Sequence, residues 1–201
     1  MARRAGNRGA ARGGGVRIIA GRWRRRMLPV ADLKGLRPTS DRARETLFSW
    51  LEPSLSGARC ADLYAGTGAL GLEALSRGAG SCVFVESQAA AVQALSRSIE
   101  QLDCADQAEV VAARVDSWRS GDPGPFDLIF ADPPYQQAKW PELCESLRGL
   151  LRDGALLYVE SPDQQQWGWP PGFELWREKA VGEARLRVLR RVASTMEETV
   201  N

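Results

Sequence analysis

Cys60-Ala61-Asp62-Leu63-Tyr64-Ala65-Gly66-Thr67-Gly68-Ala69-Leu70-Gly71 changes character midway, and that change decides the fold. Cys60 to Tyr64 is short and largely apolar, as a buried strand requires. A glycine-rich turn follows, and Leu72, Ala74 and Leu75 then open a helical pattern. Gly66, Gly68 and Gly71 fit a G-x-G-x-x-G spacing, in which glycines allow a tight turn and let a ligand approach the backbone closely. A second apolar run, Cys82 to Val85, ends at Glu86, where a carboxylate can accept hydrogen bonds from both hydroxyls of a ribose. Turn and carboxylate together point to a cofactor containing adenosine.

Asp62 narrows the choice of cofactor. A fixed negative charge just ahead of the glycine turn is unfavourable beside a pyrophosphate, but it suits a cofactor whose amino-acid end carries an ammonium and whose sulfur is positive. That describes S-adenosylmethionine; the alternative is an aspartate that only orders the loop. A third strand, Glu109 to Ala112, leads to Asp116, which either holds the adenine amine or serves as a turn or cap residue in the loop before Trp118.

A further apolar run, Phe126 to Ala131, ends in Asp132-Pro133-Pro134-Tyr135. The lone pair of a nucleobase amine is delocalised into its ring, so acceptors on its two N–H groups are needed to draw it towards a reactive form. Asp132 supplies one acceptor and the Pro133 carbonyl the other, held in a stiff, extended turn by the proline pair. Tyr135 offers a stacking face, an interaction worth about 1 to 3 kcal/mol per base. The competing reading of these four residues is a plain proline-rich turn with a capping aspartate.

Helices are expected at Gln88 to Leu102 and Trp140 to Leu151, a fifth strand at Ala155 to Glu160, and a closing hairpin from Phe173 to Val192 that turns near Gly182. Strands alternating with helices imply a mostly parallel, doubly wound α/β sheet with its ligands at the carboxyl ends of the strands. Asp62, Glu86, Asp116 and Asp132 all fall at that edge. Between Ser161 and Gly172, Trp167, Trp169, Pro170 and Pro171 either border the substrate cleft or simply pack.

The chain has 201 residues, enough for one domain with a full core and a short appendage. No stretch approaches the roughly 20 apolar residues that span a bilayer, and the arginine-rich start lacks the apolar region of a signal peptide, so a cytoplasmic protein is expected. Cys60, Cys82, Cys104 and Cys144 are widely spaced and read as reduced core thiols. There is no histidine, which excludes imidazole-built metal sites and Ser/Cys-His hydrolysis, and no metal is expected.

Net charge of +2 conceals an asymmetry: residues 1–26 hold nine arginines and no acid, leaving 18 basic and 25 acidic side chains to the rest. Residues 1–15 read as a disordered basic tail. Val16 to Ile19 and Met27 to Val30 read as strands of a hairpin extension, within 16–36, that flank Arg22-Trp23-Arg24-Arg25-Arg26. Arg17, Arg22, Arg24, Arg25 and Arg26 are candidates to pair with RNA phosphates; Trp23 either stacks on a base or anchors the hairpin, with anchoring preferred.

From about Val16 to Arg191 the chain resembles the RsmD-type 16S rRNA guanine-N2 methyltransferases, within the class I S-adenosylmethionine-dependent methyltransferases. The stretches that carry the resemblance are Arg17-Ile18-Ile19-Ala20-Gly21, Arg37-Pro38-Thr39-Ser40-Asp41-Arg42-Ala43-Arg44-Glu45-Thr46-Leu47-Phe48, Asp62 to Gly68, and Asp132 to Tyr135. It implies a Rossmann-like seven-stranded sheet from residue 37 to 201, closed by an antiparallel hairpin. By similarity Arg37 and Thr39 contribute to the cofactor site, and Tyr64 takes a backbone or packing role there. Thr39 or Ser40 is also a good helix N-cap, ahead of a face of Leu47, Trp50 and Leu51. The implied partner is 16S rRNA, within a small-subunit particle, and a monomer is expected.

Three rivals stay open on the sequence. An NAD-dependent oxidoreductase is suggested by Tyr135-Gln136-Gln137-Ala138-Lys139, which matches a Tyr-x-x-x-Lys pair, although such a pair should open a helix. DNA adenine-N6 or cytosine-N4 methyltransferases, like glutamine methyltransferases, use a similar tetrapeptide. A non-catalytic RNA-binding protein is the third, and intact Asp62 and Asp132 argue against it.

Overall fold

The computed structural model describes residues 15–29, 40–134, 139–165 and 167–193. Five helices and nine strands follow one another as β1 (Gly15–Arg17), β2 (Met27–Pro29), α1 (Asp41–Leu51), β3 (Arg59–Leu63), α2 (Ala69–Ser76), β4 (Ser81–Glu86), α3 (Ala89–Leu102), β5 (Ala108–Ala112), α4 (Val115–Arg119), β6 (Phe126–Ala131), α5 (Trp140–Leu147), β7 (Leu151–Pro162), β8 (Phe173–Val181) and β9 (Ala184–Arg191). β3 to β9 form a seven-stranded sheet in the order β5-β4-β3-β6-β7-β9-β8. β3 to β7 pair in parallel, β9 pairs antiparallel with both β7 and β8, and so β9 alone runs against the rest.

The order of strands places the site. From β3 the chain winds outward through β4 to β5, then returns to lay β6 on the other side of β3 and winds outward again. The reversal opens a crevice at the carboxyl ends of β3 and β6, where open α/β sheets bind their ligands. Ala131 lies opposite Leu63, so Asp132 leaves β6 beside the start of the glycine turn.

Local sequence explains the helices that frame this crevice. Ser40 caps α1, its hydroxyl accepting the Ala43 N–H at 3.2 Å, while Leu47, Phe48 and Leu51 are buried. α2 starts after Gly68, whose φ of +73° lies in the left-handed region that L side chains avoid. Gly71 sits one turn further on, where an added Cβ would come within 2.3 Å of the Phe84 ring and 2.7 Å of Cys82 Sγ. The third glycine of the motif therefore lets α2 press flat on β4, and every α2 residue after Ala69 is buried.

Apolar side chains divide between the two faces of the sheet. Leu47, Phe48, Leu95, Ile99, Phe84, Phe130 and Tyr158 pack on one face, and Val85, Phe126, Ile129, Trp140, Leu147 and Val159 on the other. All four cysteines are free and buried. Burial pushes the Cys60 and Cys144 thiols up to about 12, which keeps them protonated and inert.

The hairpin of β1 and β2 shares the first of these cores, through Val16, Ile18 and Leu28. It is fastened by Glu73, a buried carboxylate on α2 that accepts the backbone N–H groups of Ile19 at 2.7 Å and Ala20 at 3.0 Å. Arg77 pairs with the same carboxylate at 2.7 Å and Arg44 approaches it to 3.7 Å, so its charge is matched inside the protein. Arg44 also donates to the Arg17 carbonyl at 2.8 Å and pairs with Asp41 at 2.7 Å.

β1 ends at Arg17 and not at Ile19, and the largest departure from the sequence expectation lies between α5 and β7. α5 stops at Leu147, and after a single 3-10 turn over Arg148–Leu150 the last strand of the parallel set starts at Leu151, not Ala155. The exposed Arg152, Asp153 and Gly154 look like a turn but form the start of β7, beside a bulge in its pairing with β6. Asp116 is not in a loop: it stands in the first turn of α4, where a carboxylate suits the helix dipole.

Candidate active site

The glycine turn is held in shape by two carboxylates. Asp62, on β3 and only 3% exposed, accepts the Gly71 N–H at 2.8 Å and so ties the strand to the first turn of α2. Glu86, the last residue of β4, accepts the Gly66 N–H at 2.9 Å through Oε2 and the Gln88 N–H at 2.7 Å through Oε1. Ala65 donates to the Val85 carbonyl at 3.1 Å, and Tyr64 adopts a left-handed φ of +61°, so the chain turns sharply across the end of β4. These bonds are made by the protein alone.

Removal from water disfavours a charge on Asp62 and raises its carboxyl to about 7; the nearby Glu86 adds to the rise, while the Gly71 N–H opposes it. Asp116 contrasts with it. Its side chain is 72% exposed and paired with Arg119 at 3.5 Å and Arg114 at 3.8 Å. Burial raises the Tyr64 phenol, and the charge of Asp116 adds to the rise.

Asp132 and Pro133 follow β6, half-buried and buried respectively, with Pro134 exposed after them. Next to them, Glu160 occupies the same level on β7, because Phe130 lies opposite Tyr158 and Ala131 opposite Val159. The Tyr158 hydroxyl donates to Glu160 Oε2 at 2.9 Å, and Trp140 Nε1 donates to the Glu160 carbonyl at 3.0 Å. Glu160 ends a strand in the sequence pattern with no role attached to it. The signal was available: the apolar run Leu156 to Val159 ends in an acid just as Cys82 to Val85 ends in Glu86 and Phe126 to Ala131 in Asp132.

Asp62, Glu86 and Asp132 thus gather at one edge around Gly66 and Gly68, with Asp116 on the rim. Arg37, Thr39 and Tyr135 lie outside the described residues. The Tyr-x-x-x-Lys reading fails at its second residue: Lys139 has extended backbone and helix α5 begins only after it. Trp167 packs, stacked on Trp140 with centroids 6.5 Å apart and covered by the Arg187 guanidinium at 5.1 Å, while Trp169 meets it edge-on and remains exposed. Among the described residues no group of His, Cys, Asp and Glu could hold a metal, and no helix is long and apolar enough to cross a membrane.

The arginines of the hairpin loop lie at the opposite edge. Arg22 donates its backbone N–H to the Ser76 carbonyl at the end of α2, and its guanidinium bonds Gln107, which directly precedes β5. That guanidinium also lies 3.9 Å from the Trp23 ring centroid, and Trp23 is half-buried against the core with its N–H on Ser76 Oγ at 3.0 Å. Arg26 donates to the Gln101 carbonyl at 2.9 Å; Arg24 and Arg25 are exposed. Arg17, at the other end of the hairpin, pairs with Asp41 at 3.2 Å. Trp23 therefore anchors, and the loop arginines sit at the amino ends of the strands, beside a groove of about 460 Å³ that Arg22, Arg77, Glu52 and Gln107 help to line.

A family model described as Conserved hypothetical protein 95 matches residues 16–190. Proteins named Ribosomal RNA small subunit methyltransferase D are 43% identical in Escherichia coli strain K12, over 90% of this chain and 92% of that one, and 40% identical in Haemophilus influenzae, over 87% and 93%. The solved structure of yhhF from Escherichia coli superposes with a TM-score of 0.80 at 42% identity, covering 90% of this chain and 99% of the other.

Proposed function

We propose that this chain, which belongs to the RsmD family of methyltransferases, moves a methyl group from S-adenosylmethionine to the exocyclic N2 amine of a guanine in 16S rRNA of the small ribosomal subunit. The observation that carries the reading is the emergence of Asp132-Pro133 from β6 directly beside the glycine turn that Glu86 holds, across the reversal of strand order. The donor set fits the cofactor: a carboxylate fixed at the end of β4 for ribose hydroxyls, an open glycine turn for close approach, and a buried Asp62 able to face an ammonium. When bound, S-adenosylmethionine supplies an electrophilic methyl on a positive sulfur.

The protein's part is to bind and orient. Asp132 accepts one N–H of the target amine and the Pro133 carbonyl the other, which pulls the lone pair out of conjugation and aims it. The nitrogen–carbon bond forms as the carbon–sulfur bond breaks, and the amine, acidic once alkylated, then gives its proton to Asp132 or water. No strong base is needed beforehand. Alignment and fixed charge at the reacting nitrogen supply most of the rate. Arg37, Thr39 and Asp116 complete the cofactor side, and Tyr135 stacks on the base.

The arginine-rich hairpin supports an RNA partner, with Arg17, Arg22, Arg24, Arg25 and Arg26 meeting phosphates and Trp23 holding the loop that carries them. The enzyme acts as a cytoplasmic monomer on a small-subunit particle. To test the reading, labelled S-adenosylmethionine is offered with unmethylated small-subunit particles, naked 16S rRNA, tRNA and DNA, and the mark is mapped to a nucleoside. N2-methylguanine in 16S rRNA is expected. Label on DNA, or on an adenine or cytosine amine, overturns it.

A further inference from the structure

We propose that Glu160 selects the base: its carboxylate accepts the ring N1–H of the target guanine while Asp132 and Pro133 hold the neighbouring amine. The inference rests on the guanine-N2 reading above and extends it to specificity. Asp132 and a carbonyl oxygen recognise an amine, and adenine, cytosine and guanine all carry one. Something else must read the ring.

What distinguishes guanine is the atom next to the amine. Its N1 carries a hydrogen, so amine and ring present adjacent donors. Adenine and cytosine present a ring nitrogen lone pair at the matching place. A carboxylate set there attracts guanine and repels the other two, whereas an amide or hydroxyl could adapt to either.

Glu160 meets the geometric requirements. The β6–β7 register puts it level with Asp132 on the adjoining strand, and adjacent strands lie about 4.8 Å apart. Tyr158, like Phe130 on the neighbouring strand, packs on the α1 face of the sheet, and Glu160 two residues on takes the same side. Glu160 is buried, so it meets a base out of water, where polar complementarity and mismatch weigh most. It is also fixed: Tyr158, itself packed edge-on against Phe130 at 6.3 Å, donates to Oε2, and Trp140 holds the backbone carbonyl.

The test uses 2-aminopurine, which keeps the 2-amine and lacks the N1–H. Small-subunit particles are reconstituted with either guanine or 2-aminopurine at the mapped target position, and kcat/KM is measured for both at saturating S-adenosylmethionine. The wild type is expected to prefer guanine by on the order of 10²-fold or more, as sites built for a hydrogen bond reject analogues that lack it. Glu160→Gln, whose amide N–H can face the N1 lone pair, is expected to reduce that preference at least about tenfold. Tyr158→Phe, which keeps the packing and removes one hydrogen bond that fixes the carboxylate, should shift it less in the same direction.

Equal wild-type rates on both particles overturn the proposal, as does a Glu160→Gln enzyme that methylates guanine with its preference intact. Should Glu160→Gln fail to fold, the wild-type ratio and Tyr158→Phe decide the matter. If the wild type methylates neither particle, the guanine-N2 reading itself falls, and this inference with it.

Discussion

The two edges of the sheet are built from opposite materials. At the carboxyl edge, Asp62, Glu86, Asp132 and Glu160 are buried or half-buried acids, and backbone N–H groups lock the first two in place before any ligand is present. At the amino edge the hairpin loop exposes Arg24 and Arg25 and carries Arg22 and Arg26 on the carboxyl end of α2 and the flank of α3. On the proposed function the first edge takes a cationic cofactor and a flat base, and the second meets a polyanion, where exact geometry matters less than sign and distance. The hairpin spans both, since Arg17 sits at the start of α1 and Arg22 beside Gln107, and the buried Glu73 clamp makes it a rigid part of the enzyme.

If the edges divide the work in this way, substitutions at each should fail differently. The largest effect is expected from Asp132→Ala, which removes an acceptor needed as the amine becomes nucleophilic. Turnover should fall about 10²- to 10³-fold, the range for losing one preorganised group at a developing charge. A steady-state assay showing near-normal kcat would remove Asp132 from the reaction. Glu86→Ala should weaken S-adenosylmethionine binding by roughly 1 to 3 kcal/mol, the scale of losing charge-assisted hydrogen bonds. Unchanged affinity by calorimetry would take Glu86 out of the cofactor site.

Asp62 gives the carboxyl edge a dependence on pH. Its folded value of about 7 lies above the ordinary 3.8, so the stability it contributes is complete below about 4 and is lost as pH rises through 7. An ammonium placed beside it favours the charged form, so cofactor affinity should rise over the same interval. Calorimetry between about pH 5 and 7 should show that rise in the wild type and its loss in Asp62→Asn. A flat wild-type profile would leave Asp62 with only its bond to Gly71.

The smallest effect belongs to the amino edge. Replacing Arg24 and Arg25 with alanine should raise KM for ribosomal substrate and flatten its salt dependence, each lost phosphate contact lowering the slope by about 0.7 to 0.9. The turnover number and cofactor affinity should hold. A salt series identical to that of the wild type would mean that the loop does not meet RNA.

Much of the carboxyl edge was legible in the sequence because its signals are local. An apolar run ending in an acid, a glycine turn and a double proline each fit within a dozen residues, and the alternation of strand and helix places them on one edge. Asp116 was misplaced because α4 is only five residues long and buries just Val115, too little to show a helical period. The start of β7 was missed because Arg152 to Gly154 lack alternation at a bulge. Glu73 showed only its i,i+4 pairing with Arg77, since its other partners Ile19, Ala20 and Arg44 come from elements distant in sequence. The arginines were obvious, yet their position at the far edge depends on the path of the hairpin along α2, which no pattern within residues 15–29 encodes.

On the proposed function, the acids of the carboxyl edge split between holding the cofactor and activating the amine. Asp132→Asn tests it most directly, because it keeps an acceptor oxygen and loses the charge. Single-turnover methyl transfer to small-subunit particles and S-adenosylmethionine affinity would be measured on the same preparation. Transfer slowed about tenfold or more, with affinity within about twofold of wild type, is expected. Transfer at the wild-type rate, or a loss of cofactor affinity matching the loss of rate, would contradict the account.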